Sequence, residues 1–420
     1  MSVRPSHIRT VLLSTLLVVV GAMGGYRYAK DGQLFGLRQP AWLPIPKSQV
    51  VNTSTPLKQA SQVDFGIFWE VWNLLESNYL EPEKIKPDEL VNGAVVGMTA
   101  ALQDPYTMYL PPVENERRAE DLAGSFYGVG IELGYVDQIL AVVTPLAGSP
   151  SDKAGVKPGD YILHVKDPEK QLDEDTTGWS LEQAVNNIRG KKGTKVTLTL
   201  ARKNADGMVE KPFEVDIERG EIVIPSVELS FLPKGDKKVA HLKLSQFGER
   251  TNTEWDKAVT DILAQKAQVS GVVLDLRNNP GGFFDGAIYV ASEFVPNGTI
   301  VSQQGRTQKQ DFGAKGKARL VNMPVEVLVN KGSASSSEIV AGALRDRLKA
   351  KLIGEKTFGK GTVQDRMELS NGGGVHITIA RFLLPSGEWI HHTGIPVDLE
   401  VQDNPDTEQD EVLQKAIEVL

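Results

Sequence analysis

Three kinds of hydrophobic pattern follow one another along the chain. Phe65, Phe68, Trp69, Trp72 and Leu75 recur every three or four positions, as do Leu90, Val91, Ala94, Val95, Met98 and Leu102 after Pro87-Asp88. That spacing predicts two amphipathic helices that pair, the first with an aromatic stripe suited to a core or a dimer seam. From Gly124 to about Arg219 the period shortens to two, and Ile131–Leu133, Leu140–Val143, Tyr161–Leu163, Val196–Leu200 and Phe213–Ile217 read as short strands. One helix interrupts them, with Ser180 and Gln183 at capping-box spacing and Leu181, Ala184, Val185 and Ile188 on its apolar face. After Gly220 strands and helices alternate: Val239–Leu244, a helix through Trp255, Val259, Ile262 and Leu263, and the unbroken apolar strand Gly271–Leu276. The series continues with helix Ala287–Phe294, strand Val325–Val329, helix Glu338–Leu348, strands Lys351–Gly354 and His376–Leu384, and a terminal helix Glu411–Leu420. Continuous apolar strands are buried on both faces, so this part is an α/β layer.

The first sixty residues differ from all of this. Seventeen uncharged residues (10 to 26), with the apolar run Val11–Val20, follow Arg4, His7 and Arg9. An apolar stretch behind a basic start is an export signal, and seventeen residues reach only the lower limit for a spanning helix. Ala22-Met23-Gly24 matches a small-x-small cleavage site poorly and there is no cysteine for lipid attachment, which favours an uncleaved anchor. Gln39 to about Lys58, rich in Pro, Ser and Thr, reads as a linker. The expected organisation is therefore residues 1–30 signal peptide or anchor, 31–62 linker, 63–123 helical region, 124–219 strand-rich domain, 220–405 α/β core and 406–420 C-terminal helix.

Composition narrows the chemistry. With Lys+Arg 46 against Asp+Glu 54, the net charge of -8 disfavours a nucleic-acid partner. No cysteine is present, which excludes disulfides, thiolate metal sites and cysteine nucleophiles. His391-His392 is weak as a metal pair, because adjacent strand residues point to opposite faces. Gly354-x-x-x-x-Gly359-Lys360 matches a phosphate loop until Gly361 replaces the required Ser or Thr. No metal and no cofactor is expected.

Two turns leave the buried strands of the α/β layer. In Asp275-Leu-Arg-Asn-Asn-Pro-Gly281-Gly282, paired glycines let consecutive N–H groups converge on one point, as an oxyanion hole requires, although many ordinary turns contain Pro and Gly. In Asn330-Lys-Gly-Ser-Ala-Ser335-Ser336-Ser337-Glu338, a serine lies over a helix N-terminus that favours negative charge; the same Ser335/Glu338 spacing suits simple capping. A serine hydroxyl needs a base, and none of the six histidines adjoins either turn. Lys360, between Gly359 and Gly361, can serve once burial lowers its pKa, whereas a lone lysine in a glycine-rich loop is usually a solvated surface group.

Residues 124–219, entered through Tyr127-Gly128-Val129-Gly130-Ile131, resemble a PDZ domain. That family binds a peptide's terminal carboxylate on backbone N–H groups of this loop and adds the peptide as a strand. From about Val63 to Leu420 the chain resembles a carboxyl-terminal processing peptidase. The likeness rests on Asp104-Pro-Tyr-Thr-Met-Tyr-Leu110, the PDZ entry, Asp275–Gly282, Gly332–Glu338 and Gly354–Gln364. It implies a multidomain α+β protein: an α/β protease core with crotonase- or Clp-protease-like sheet and helix layers, an inserted PDZ β-barrel-like domain, and N-terminal helices. It further implies a Ser335/Lys360 dyad, Gln364 assisting the lysine, and an oxyanion hole from the N–H of Ser336 and of Gly281 or Gly282. At Ser336 the family more often has alanine. The implied partners are exported protein substrates with accessible C-termini, an adaptor that delivers them, the bacterial inner membrane on its periplasmic side, and a second copy of the chain. The competing reading is a catalytically silent, membrane-tethered PDZ scaffold.

Overall fold

The computed structural model describes residues 64–420 apart from 205, 405, 406 and 408. The segment expected to direct export lies outside the described residues, and among those described no helix is long and apolar enough to cross a membrane. The chain divides into two units, residues 1–85 and 86–420. In the first, helix α1 (Gly66–Asn78) carries the predicted stripe, with Phe68, Trp69 and Trp72 ring centroids 5.0 to 6.0 Å apart.

The second unit opens with α2 (Pro87–Ala100), β1 (Met108–Leu110) and α3 (Pro112–Ala123). Proline at the first position of both helices suits a place where no N–H partner exists. Gly124 ends α3 in the left-handed conformation that glycine adopts without strain. A two-stranded ribbon, β2 (Ser125–Gly128) with β9 (Gly220–Val223), brackets the strand-rich domain.

That domain is a mixed-order sheet β3-β4-β5-β7-β8, with β6 (Leu172–Asp175) on β5. Its strands are β3 (Ile131–Val136), β4 (Ile139–Pro145), β5 (Tyr161–Asp167), β7 (Lys195–Ala201) and β8 (Phe213–Glu218). Two helices accompany it, the single turn α4 (Pro150–Lys153) and α5 (Leu181–Ile188). The predicted capping box is made: Gln183 N–H reaches Ser180 Oγ at 3.1 Å and Ser180 N–H reaches Gln183 Oε1 at 2.8 Å. Leu140, Val142, Ile162, Val165, Ala184, Ile188 and Leu198 form the core. Beneath it the Arg219 guanidinium is buried and bonds Asp167 at 2.6 Å, the Ile188 carbonyl at 2.8 Å and Thr194 Oγ1 at 2.9 Å.

The α/β layer is a six-stranded sheet in the order β10-β11-β12-β15-β16-β19, antiparallel only between β10 and β11. The strands are β10 (Val227–Lys234), β11 (Lys237–Leu244), β12 (Val269–Asp275), β15 (Val325–Val329), β16 (Leu352–Gly354) and β19 (Leu399–Glu400). Alternation divides their side chains. Leu242, Leu274, Val327 and Leu352 meet helices α6 (Thr251–Ala264), α7 (Phe284–Ala291) and α8 (Ser336–Leu348) in the main core. Val239, Val273, Leu328 and Ile353 face the other way, onto Val412 and Ala416 of α9 (Glu411–Val419). A second sheet runs β1-β18-β13-β14 with β17 paired to β18, from β13 (Thr299–Gly305), β14 (Lys309–Gly313), β17 (Thr362–Glu368) and β18 (Gly374–Leu383).

Arg219→Leu leaves Asp167 buried and unpaired, a change that costs about 3 to 5 kcal/mol. The expected outcome is a lower urea midpoint at unchanged slope, whereas the double change Arg219→Leu/Asp167→Leu recovers most of the loss; a single variant as stable as the parent would show that the pair does not hold the domain.

Candidate active site

Both predicted turns emerge at the same edge of the sheet, after β12 and after β15, and the backbone stitches them together. Asn330 Oδ1 accepts the N–H groups of Asn278 (2.9 Å) and Gly332 (3.0 Å), and Ser333 Oγ donates to the Leu276 carbonyl (2.8 Å). Ala334 N–H and Ser337 Oγ both reach the Asn279 carbonyl, at 3.0 and 2.9 Å. Ser335 is thereby forced to φ 55°, ψ -114° at the N-cap of α8. A non-glycine residue there is strained, and such strain persists only where surrounding contacts over-determine it. A Cβ on Gly281, at φ +100°, would stand 2.9 Å from the Ser335 Cβ, so only glycine lets the first turn approach the serine.

The glycine pair divides its roles. Gly281 N–H is committed to Asn279 Oδ1 at 2.9 Å. Among the described residues, neither Gly282 N–H nor Ser336 N–H meets an acceptor. The Ser336 hydroxyl, the departure from the family's usual alanine, donates to the Gly282 carbonyl at 3.0 Å and so ties the two turns.

Lys360 arrives between β16 and β17. Its turn is clamped by the following segment: Gly359 accepts the His392 N–H at 2.9 Å, Gly361 accepts Trp389 Nε1–H at 2.9 Å, and Gly361 N–H reaches His391 Nδ1 at 3.3 Å. Gly359 is left-handed, and a Cβ there would meet Gly394 N at 2.7 Å. The ammonium group lies 5.0 Å from the Tyr106 ring centre, which accounts for the aromatic residue in the stretch 104–110. Burial, and then the Arg118 charge, hold the lysine pKa below its ordinary value.

Glu338 joins the two loops. Its fully buried carboxylate accepts the N–H of Ser335 (2.8 Å), the Thr357 hydroxyl (2.6 Å), the N–H of Gly359 (2.7 Å) and the N–H of Lys360 (2.9 Å). Burial pushes its pKa up, while the four donors pull it back. Capping spacing predicts only the first of these bonds.

Ser335, Ser336, Lys360, Gln364, Gly281 and Gly282 line one cleft of about 350 Å³, with Phe284, Ile339 and Phe382 on its apolar side. No hydrogen bond joins Ser335 Oγ to Lys360 Nζ among the described residues. Gln364 does not reach the lysine in this arrangement; its Nε2 donates to Thr362 Oγ1 (2.9 Å) and Thr378 Oγ1 (3.1 Å). Tyr127–Ile131 lie apart from this cleft, at the start of the strand-rich domain. There the space over Gly130 is filled by the domain itself: a Cβ would meet the Ser149 Cβ at 2.4 Å, and its carbonyl accepts Ser151 Oγ at 2.8 Å. Tyr127 and Gly128 belong to the ribbon with β9, and the Val129 side chain is buried in the domain core.

A serine at a strained N-cap, a half-buried lysine and free N–H groups across one cleft are the parts of a serine hydrolase. Family models place the chain more closely: Peptidase family S41 matches residues 238–401, PDZ domain residues 119–201, and the activating protease CtpB N-terminal domain residues 18–112. It is 34% identical over 348 residues to the carboxy-terminal processing protease CtpA of Bacillus subtilis, covering 82% of this chain and 71% of that protein. It is 32% identical over 391 residues to CtpB of the same organism, covering 92% and 78%. Of related staphylococcal proteases it spans 64% to 66%. A putative S41 protease from Bacteroides fragilis, 17% identical, shares the fold at a TM-score of 0.51 over 83% of this chain and 95% of that one. The chain belongs to the carboxy-terminal processing protease family, serine proteases with a PDZ domain.

Glu338→Gln presents an amide N–H₂ to one pair of N–H donors and loosens both loops at once. Turnover of an unfolded protein is expected to fall about 100-fold, in line with the cost of ångström-scale misplacement, with the far-UV spectrum kept; full turnover would show that the carboxylate does not position the site.

Proposed function

We propose that this chain is an exported serine endopeptidase that recognises the C-terminal region of protein substrates through its PDZ domain and cleaves them with a Ser335/Lys360 dyad. The observation that carries the reading is the convergence of the strained Ser335 and of Lys360, whose pKa burial lowers, on one cleft. In this mechanism the neutral Lys360 amine removes the Ser335 proton as Oγ attacks the peptide carbonyl. The N–H groups of Ser336 and Gly282 take up the oxyanion; Gly281, whose N–H is already bonded, supplies the space. Lys360 then passes the proton to the departing amine, leaving an acyl-enzyme. Water, deprotonated by the same lysine, adds to the ester carbonyl, and Ser335 recovers the proton as the product acid leaves.

The amine and hydroxyl are not bonded in the resting arrangement, and Gln364 is held by two threonines. Both facts support a site that is completed when substrate docks on the PDZ domain. Residues 1–30 direct the enzyme to the periplasmic side of the inner membrane, as an anchor or as a signal peptide that is removed, the N- and C-terminal helices join copies of the chain, and an adaptor can deliver substrates.

Ser335→Ala and Lys360→Ala are each expected to lower turnover of an unfolded exported protein by about 10⁴-fold or more while the proteins remain folded; substantial cleavage by purified Ser335→Ala would remove the serine from the mechanism. Because the base works only when neutral, kcat/KM should rise with pH on a limb that lies below the ordinary lysine range and should vanish with Lys360→Ala. The same shift has a stability consequence. The unfolded lysine binds a proton that the folded one resists, so its contribution improves as pH rises and is unfavourable below the folded pKa. Lys360→Met should therefore raise the thermal midpoint at pH 7, by an amount that shrinks as pH rises from the folded pKa toward the ordinary lysine value of about 10.4.

A further inference from the structure

One wall of the cleft carries basic groups that the dyad does not use. In the β17/β18 ladder Gln364 stands opposite Thr378 and Arg366 opposite His376, so these four side chains share one face. Two basic residues directly across a ladder repel each other unless something is gained. Arg118, an exposed residue of α3, lines the same cleft and has no ion pair among the described residues. Arg366 reaches Asn115 Oδ1 and Glu368 Oε1, both at 3.2 Å. His376 Nε2 is out of solvent and has no hydrogen-bond partner among the described residues. Burial, followed by the charges of Arg118 and Arg366, holds His376 below the ordinary imidazole range. Among the described residues the one acid paired with this group is the exposed Glu368, on Arg366; Asp121 and Glu249 make no ion pair with it, and Asp365 alternates away from Arg366 along the strand.

We infer that Arg366, His376 and Arg118 form a second carboxylate-binding site, inside the protease cleft and separate from the PDZ loop, for a carboxylate of the bound polypeptide. A guanidinium supplies paired donors for a carboxylate, and the N–H of the neutral imidazole beside it supplies one more. The ligand is the α-carboxylate of the substrate's end or an acidic side chain near it. Pairing with the arginines neutralises that carboxylate, so it does not favour protonation of the nearby Lys360. The inference rests on the protease reading and deepens it, since it makes the cleft itself read the end that the family processes.

The experiment uses the full chain and four versions of one fluorogenic peptide: free acid or amide at the C-terminus, crossed with Glu or Gln at an internal position beyond the cleaved bond. The variants are Arg366→Gln and, because its side chain is exposed, Arg118→Gln. Charge-assisted bonds of this kind carry roughly tenfold or more, so the parent should cleave the favoured acid about tenfold faster in kcat/KM. Both variants should reduce that ratio to about twofold. PDZ docking enters parent and variant alike, so the change in ratio isolates the cleft. Loss of the acid/amide ratio identifies the terminal carboxylate, and loss of the Glu/Gln ratio identifies a side chain. Equal ratios in parent and both variants overturn the inference. Ser335→Ala separates it from the dyad: if that protein still cleaves, the mechanism fails, while the same ratios read as binding constants by fluorescence anisotropy still test the site.

Discussion

A single buried carboxylate holds the catalytic geometry together. Glu338 gathers donors from residues 335, 357, 359 and 360, so the serine and lysine loops cannot move independently without leaving a buried acceptor or several buried donors unmatched. Unmatched buried polar groups cost about 1 to 3 kcal/mol each. The strained backbone of Ser335 and the tight turn at Lys360 persist because this network over-determines them.

Much of this was legible in the residues because it is local. The capping box at Ser180, the strand Val325–Val329 and the helix that follows the serine are set by neighbours within a few positions, and the structure keeps them. The dyad positions come from the family resemblance, since loop chemistry alone also fits a cap and a solvated lysine, and both residues reach the same cleft. Elements with weaker periodicity escaped, among them β10, the β13/β14 hairpin and β17. Their burial does not alternate: β13 is buried at three consecutive positions, and most of β14 is exposed.

The misses within the site share one cause. Glu338 looks like a cap because its bond to residue 335 is three positions away, whereas its bonds to Gly359 and Lys360 cross more than twenty. His376 has no sequence signal at all, and only the strand register places it beside Arg366. Contacts of long sequence separation are invisible to pattern, and they decide what a loop residue does.

The packing of α9 has a temporal consequence. Val239, Val273, Leu328 and Ile353 are shielded from water by Val412 and Ala416, and Arg277 bridges Asp275 at the end of β12 to Asp410 at the cap of α9. During synthesis the back of the catalytic sheet stays wet, and the strand that feeds the glycine turn stays unclasped, until residues 410–419 have been added. A nascent chain therefore carries Ser335 for some eighty residues before the scaffold behind its loop can close.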